Sequence, residues 1–252
     1  MLNICAIASG SNGNCYYIGD ESEAILVDAG LSARQLRLRL ESREINTSTI
    51  KAILVTHEHS DHCRGIRVLS NQLQIPAYIT KKTFLAIHKK NRPEKVRWFE
   101  PGEYFNIGSF KVFPFLKLHD AVEACSFRVE CHGKQIGVMT DIGTLEESVQ
   151  HEFSLCNAVF LESNYEEKML REGSYPYFLK ERILSGHGHL SNLQAYSLAE
   201  TFGGKNLKLI LLSHLSGENN TPETAISRFK LLQGKYHICL TSRHDATEMF
   251  TV

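Results

Sequence analysis

The feature that most constrains this chain lies at residues 53–62, where the apolar run Ile53-Leu54-Val55 passes through Thr56 into His57-Glu58-His59-Ser60-Asp61-His62. A short run of branched apolar residues reads as a buried strand. If the backbone stays extended through His57 and His59, both imidazoles fall on one side, because the side-chain period of a strand is two. Neutral imidazole is a favoured ligand for zinc and related ions. A turn after His59 would present Asp61 and His62 to a second position nearby. Three histidines and one aspartate in six residues at a strand end exceed what a solvated polar loop requires. Whatever the fold, it has to bring this strand end to a metal site.

The rest of the chain supplies many more strands of the same kind. Short apolar runs bounded by turn residues recur at Leu2–Ala8, Tyr16–Ile18, Ala24–Asp28, Ala52–Thr56 and Phe110–Phe115. Others follow at Phe127–Cys131, Gln135–Thr140, Ala158–Glu162, Leu207–Ser213 and His237–Leu240. Their composition and boundaries are those of strands. His132-Gly133-Lys134 reads as a tight connection between two of them. Helical spacing appears over Ser32–Glu44, Leu145–Phe153 and Ser191–Phe202, and Thr221-Pro222-Glu223 opens another helix. Ser32 and Ser191 are N-cap candidates, Gly203-Gly204 stops the third helix, and Pro222 occupies the first helical position of the fourth. Strands and helices interspersed in this way predict an α/β fold, with two mixed sheets packed on each other and helices outside, a four-layer αββα sandwich. No linker or composition shift interrupts the chain, so residues 1–252 read as a single domain.

Composition narrows the function. Lys and Arg together number 28, as do Asp and Glu, so bulk charge gives no support for a nucleic-acid binder and does not exclude one. No apolar run approaches the about 20 residues that a membrane helix needs, and the N-terminus lacks the basic region of a signal peptide. The seven cysteines, Cys5, Cys15, Cys63, Cys125, Cys131, Cys156 and Cys239, include no Cys-x-x-Cys pair. They read as small buried residues in a reducing cytoplasm.

His-x-His-x-Asp-His after a hydrophobic strand resembles the signature of the metallo-β-lactamase fold hydrolases, and the resemblance extends over nearly the whole chain. Ile25-Leu26-Val27-Asp28-Ala29-Gly30 resembles the first motif of that family, with Asp28 supporting the metal loop. Leu118-His119-Asp120 resembles the third, Thr140-Asp141-Ile142-Gly143 the fourth, and Leu212-Ser213-His214-Leu215-Ser216 the last. The resemblance implies two divalent cations. One would take His57, His59, His119 and Asp141, and the other Asp61, His62, Asp141 and His214, with Asp141 bridging. Each of His119 and His214 taken alone would be an ordinary structural histidine; each, like His57, follows an apolar run and opens a polar turn. Sites rich in histidine and carboxylate accept zinc, manganese or iron.

A two-metal site suits hydrolysis of phosphodiesters, thioesters or lactams. The redox di-iron branch of the fold is disfavoured, since His59 stands where that branch has glutamate. Two segments favour a phosphodiester. Gly186-His187-Gly188-His189-Leu190-Ser191-Asn192 and Phe160-Leu161-Glu162-Ser163-Asn164 resemble the nuclease branch, which implies His189 as proton donor and Glu162 as the acid that holds it. Histidine titrates near neutral pH and suits protonation of a departing alkoxide. The long basic arm of the tRNA-processing members is missing, and so is the extra domain of the larger RNA-cleaving members. Ala8-Ser9-Gly10-Ser11-Asn12-Gly13-Asn14-Cys15 and Ser213-His214-Leu215-Ser216-Gly217-Glu218-Asn219-Asn220 resemble the small bacterial YycJ/WalJ-like subfamily. That resemblance implies a cytoplasmic DNA exonuclease working from 5′ to 3′ on duplexes, DNA being favoured over RNA. The nucleophile would be a metal-bridging hydroxide that Asp61 helps to orient. The competing expectations are a small-molecule thioester or lactone hydrolase using the same site and a module that keeps metal only for folding. The Ser9–Asn14 loop reads equally as a phosphate cradle or as a hairpin turn, Ser242-Arg243-His244-Asp245 as a polar turn, and His187 has no matching role.

Overall fold

The computed structural model describes residues 1–252. Fourteen strands form two seven-stranded sheets. The first sheet holds β1 (Asn3–Ala8), β2 (Cys15–Gly19), β3 (Ala24–Val27), β4 (Ile50–Leu54), β5 (Ala77–Ile79) and β6 (Val96–Trp98). The second holds β7 (Phe105–Ile107), β8 (Phe110–Leu116), β9 (Cys125–Cys131), β10 (Lys134–Met139), β11 (Ala158–Glu162), β12 (Leu209–Ser213) and β13 (His237–Leu240). The last strand, β14 (Phe250–Thr251), returns to the first sheet and pairs with β1. Spatial order is β14-β1-β2-β3-β4-β5-β6 in one sheet and β13-β12-β11-β10-β9-β8-β7 in the other.

Side-chain alternation builds the layers. Along β1, Ile4 and Ala6 point into the core between the sheets, while Cys5 and Ile7 point to the outer face. Along β4, Ala52 and Leu54 face inward, and Ile53 packs outward with Leu36 and Leu40 of the Ala33–Glu41 helix and Ile66 and Leu69 of the Ile66–Leu73 helix. The outer face of the second sheet is covered by the helices Glu147–Ser154, Asn192–Phe202 and Pro222–Arg228, through residues such as Phe153, Leu198 and Ala225. Aromatic side chains fill the centre, with Tyr16 and Phe160 meeting across the two sheets at 4.7 Å between ring centroids. The result is the four-layer αββα sandwich that the pattern predicts.

The ten strands read from sequence are all present, with ends shifted by up to two residues, and four short ones, β5, β6, β7 and β14, add to them. His132-Gly133 joins β9 to β10 with both residues at positive φ, 51° and 71°. This is the twist that a two-residue hairpin favours. β3 and β4 run parallel, as do β10 to β13. Their carboxyl ends open on one edge of the sandwich, where ligands of α/β sheets bind. No helix is long and apolar enough to cross a membrane.

Candidate metal centre

Six strand ends deliver the site. Asp28 follows β3, His57 follows β4, His119 follows β8, Asp141 follows β10, Glu162 ends β11 and His214 follows β12. Asp28, Asp141 and His214 take left-handed backbone conformations, at φ 62°, 57° and 57°. For a non-glycine residue this costs roughly 1–2 kcal/mol. Such strain collects where the direction of a side chain matters more than local comfort. The Asp61 loop packs against Gly30 so closely that a Cβ there would stand 1.6 Å from the Asp61 carbonyl oxygen.

The tautomers of the histidines follow from their partners. The Asp28 carboxylate can only accept. It takes the Thr56 peptide N–H at 2.9 Å, the Thr56 hydroxyl at 2.8 Å and His62 Nδ1–H at 2.7 Å. With its proton given to Asp28, the Thr56 hydroxyl accepts from His57 Nδ1–H at 2.9 Å. His119 Nδ1–H donates to the Gly188 carbonyl at 3.0 Å, and His214 Nδ1–H to Glu162 at 2.9 Å. All four rings therefore turn Nε2 toward the centre. His59 contributes Nδ1 instead, 3.4 Å from His119 Nε2. A fixed second nitrogen of this kind is the usual companion of a metal-ligating histidine. Asp28 thus sets two ring orientations at once. Asp28→Ala is expected to weaken zinc affinity by about 10–100-fold, measured by competition with a chromogenic chelator. Unchanged affinity would remove Asp28 from the support of the site.

Donor atoms converge in four overlapping groups, one of them made by Asp141, Glu162, His189 and His214. His57, His59 and His119 lie together, and so do Asp61, His62 and His214, with Asp141 reaching across. Asp141 stands 3.3 Å from His62 Nε2, 3.4 Å from His214 Nδ1 and 3.9 Å from His119 Nε2. Asp61 is 3.6 Å from His62 Nε2 and 3.8 Å from His214 Nε2. All seven residues expected as ligands are brought together. His57 Nε2, Asp141 Oδ2 and His214 Nε2 are buried with no hydrogen-bond partner. Buried polar atoms without partners are rare and call for an explanation, and a cation supplies one. One contact competes: the Asn14 side-chain amide stands 3.0 Å from His62 Nε2, and it would yield its place to the metal.

Electrostatics point the same way. Burial works against charge at Asp61 and Asp141, yet His62 and His214 beside them hold both carboxyls down, Asp61 at about 2 and Asp141 well below the usual range. Burial likewise disfavours charge on His62 and His214. Nearby carboxylates outweigh it, with Asp141 foremost, holding His62 well above its ordinary value and raising His214 to about 10. His57 and His119 are pushed down by burial, His119 to about 4; burial outweighs Asp141 there, and Lys117 acts in the same direction as burial. Carboxylates that retain protons on two histidines in this way would retain divalent cations in their place.

Glu162 is fully buried and joins the cluster to a further histidine. One carboxylate oxygen accepts from both His189 Nδ1–H and His214 Nδ1–H at 2.9 Å, and the other from the backbone N–H groups of Ile142 at 2.8 Å and Leu190 at 3.0 Å. Burial would raise its pKa, but His189 and these hydrogen bonds hold it at about 2. His189, Asp61, Asp141 and His214 all line one open cavity of about 230 Å³.

Sequence reading missed Asn14, Thr56, Asp120 and Arg182. Thr56 stands inside the motif, between strand and ligands, and its hydroxyl next to His57 is the signal that could have found it. The Ser9–Asn14 loop is a hairpin connection between the antiparallel β1 and β2. Gly10 N–H donates to the Asn14 side chain, Gly13 N–H to the Gly10 carbonyl and Asn14 N–H to the Asp61 carbonyl. The Ser9 hydroxyl accepts from His214 N–H at 2.8 Å. The loop braces two site loops, and Ser11 lines the cavity. Arg243 ties Ser11 to the Leu215 carbonyl at 2.9 and 3.0 Å, so its turn is structural. The side chain of His187 is exposed, outside the cavity lining.

The family model described as a beta-lactamase superfamily domain matches residues 23–214. The exodeoxyribonuclease YycJ of Bacillus anthracis is 35% identical over 227 residues, 89% of this chain and 86% of the relative. The exodeoxyribonuclease WalJ of Streptococcus pneumoniae serotype 2 is 36% identical over 225 residues, 87% of this chain and 83% of the relative. Among solved structures, the metallo-beta-lactamase fold protein YhfI of Bacillus subtilis superposes with a TM-score of 0.74 at 17% identity, covering 98% of this chain and 100% of that one.

Proposed function

Because this chain belongs to the beta-lactamase superfamily and is a metal-dependent hydrolase, we propose that it is an exonuclease acting on DNA, working from 5′ to 3′ on duplexes in the cytoplasm. Two cations, zinc or manganese with iron as the other candidate, would share Asp141. His57, His59 and His119 complete one site, and Asp61, His62 and His214 the other. The observation that carries the nuclease reading is the Glu162–His189 pair, which ends in the same cavity as Asp61, Asp141 and His214. A thioester expels a thiolate that leaves without such a proton donor, whereas the alkoxide leaving a phosphodiester needs one. The names of the two exodeoxyribonucleases it resembles over most of its length agree with this reading.

When bound, the cations would supply an acidified water and charge stabilisation for the phosphate. Asp61, on the cavity wall, accepts a hydrogen bond from the attacking water and directs it. A bond forms between phosphorus and that oxygen, and the bond to the leaving oxygen breaks. His189 passes its cavity-side proton to the leaving oxygen. Glu162 keeps the ring oriented through Nδ1–H and stabilises the imidazolium from which the proton departs.

Metal-loaded protein incubated with end-labelled single- and double-stranded DNA and RNA is expected to shorten duplex DNA progressively from the 5′ end. No cleavage of any of the four would overturn the nuclease reading and return the site to small esters.

A further inference from the structure

The cavity has a single permanently cationic side chain in its lining, Arg182. It belongs to the Tyr177–Leu184 helix, which lines the cavity through Leu179, Arg182 and Ile183 and rests on a small apolar cluster of its own, formed by Tyr165, Leu170 and Ile183 with Tyr175, Leu179 and Leu184 packed around them. Asp120, next to the expected ligand His119, pairs with Arg182 through Nε and holds the guanidinium at the rim. That contact uses one donor on a half-exposed side chain, leaving Nη1 and Nη2 for a further acceptor, and a guanidinium fork suits a phosphate. One helical turn before Arg182, on the same stripe, stands Phe178, 72% exposed. The helix is anchored through Leu179 and Ile183, so Phe178 is not needed for the core. With a net charge of zero, the protein has no general attraction for a polyanion, and capture of a strand falls to local groups.

We propose that this helix guides the substrate strand, with Arg182 gripping a phosphate adjacent to the scissile one and Phe178 stacking on a base outside the cavity. The inference rests on the nuclease reading and adds a binding subsite to it. An aromatic ring paired with a cation is how proteins hold single strands without regard to sequence, because every base has a face to stack. For an exonuclease on duplexes, it would hold the strand end that has left its partner.

The test compares kcat/KM on an end-labelled duplex oligonucleotide with kcat/KM on bis(p-nitrophenyl) phosphate, which has no base or neighbouring phosphate. Phe178→Ala is expected to lower the ratio of the two about tenfold, and Phe178→Trp to restore it. Arg182→Gln is expected to reduce the dependence of log(kcat/KM) on log salt by about one unit, the signature of one lost phosphate contact. Wild-type activity on DNA with an unaltered ratio in Phe178→Ala and an unaltered salt slope in Arg182→Gln overturns this inference alone. Wild-type protein that cleaves the small diester but no nucleic acid overturns the nuclease reading and this inference with it.

Discussion

Asp141→Ala is expected to reduce bound metal from two equivalents to one or none and to lower turnover by at least about 10²-fold, more than the loss of a supporting residue does. The expectation comes from where Asp141 stands. It is the carboxylate within reach of His62 and His214 on one side and His119 on the other, so its removal takes a donor from both halves. Elemental analysis after gel filtration reads the first effect, and two full equivalents of metal in the variant would undo the shared-ligand assignment. The pH dependence provides an independent measurement. Asp141 leads the carboxylates that raise His214 from 6.5 to about 10. A raised pKa means that the metal-free fold is stabilised by this proton below about 6.5 and loses the contribution as pH rises toward 10. A cation has to displace the same proton. Metal affinity of the stripped protein is therefore expected to strengthen with pH across that window, with protons released, and the dependence to flatten in Asp141→Ala.

How much of this was legible in the sequence depended on whether the signal was local. The ligands were legible because His57, His119, Asp141 and His214 each stand within three residues of the end of an apolar strand, with His59, Asp61 and His62 in the same motif as His57, and the fold uses the carboxyl ends of those strands to assemble the centre. Helices were legible where a side chain marks the start: Ser32 accepts from Gln35 N–H, Ser191 forms a capping box with Gln194, and Thr221 accepts from Thr224 N–H. The helices over Ile66–Leu73, Glu167–Glu172 and Tyr177–Leu184 have no side-chain cap and escaped notice. Two helices depart from this: Glu147–Ser154 was read from its spacing although Glu146 makes no capping bond, and Lys81–Ala86 was missed although Thr80 caps it. The missed strands are two or three residues long, too short to show a period. Asn14, Asp120 and Arg182 were illegible for another reason. Their importance lies in contacts across 48 and 62 positions of sequence with partners that only the tertiary fold supplies.

His189→Ala is expected to lower kcat on DNA by about 10²–10⁴-fold, the range for loss of a positioned proton donor, with metal content unchanged. The separation is expected because His189 gives its Nδ1–H to Glu162 and stands 3.8 Å from Asp141, while His214, the expected ligand, has its own bond to Glu162. The leaving group decides between a proton donor and a structural side chain. A phosphodiester whose leaving group is p-nitrophenolate departs without protonation, so His189→Ala should be impaired far less on it than on DNA. Equal impairment on both substrates would show that His189 shapes the site and protonates nothing. Glu162→Gln sharpens the contrast. Its carboxylate oxygen serves both histidines, and the amide that replaces it presents one acceptor oxygen to two ring N–H groups and two backbone N–H groups. Glu162→Gln is accordingly expected to lose turnover and metal affinity together, where His189→Ala loses turnover alone. Were both variants to lose metal equally, the division of labour between the ligand His214 and the donor His189 would be wrong, and the five histidines and His189 would have to be read as one undivided cluster.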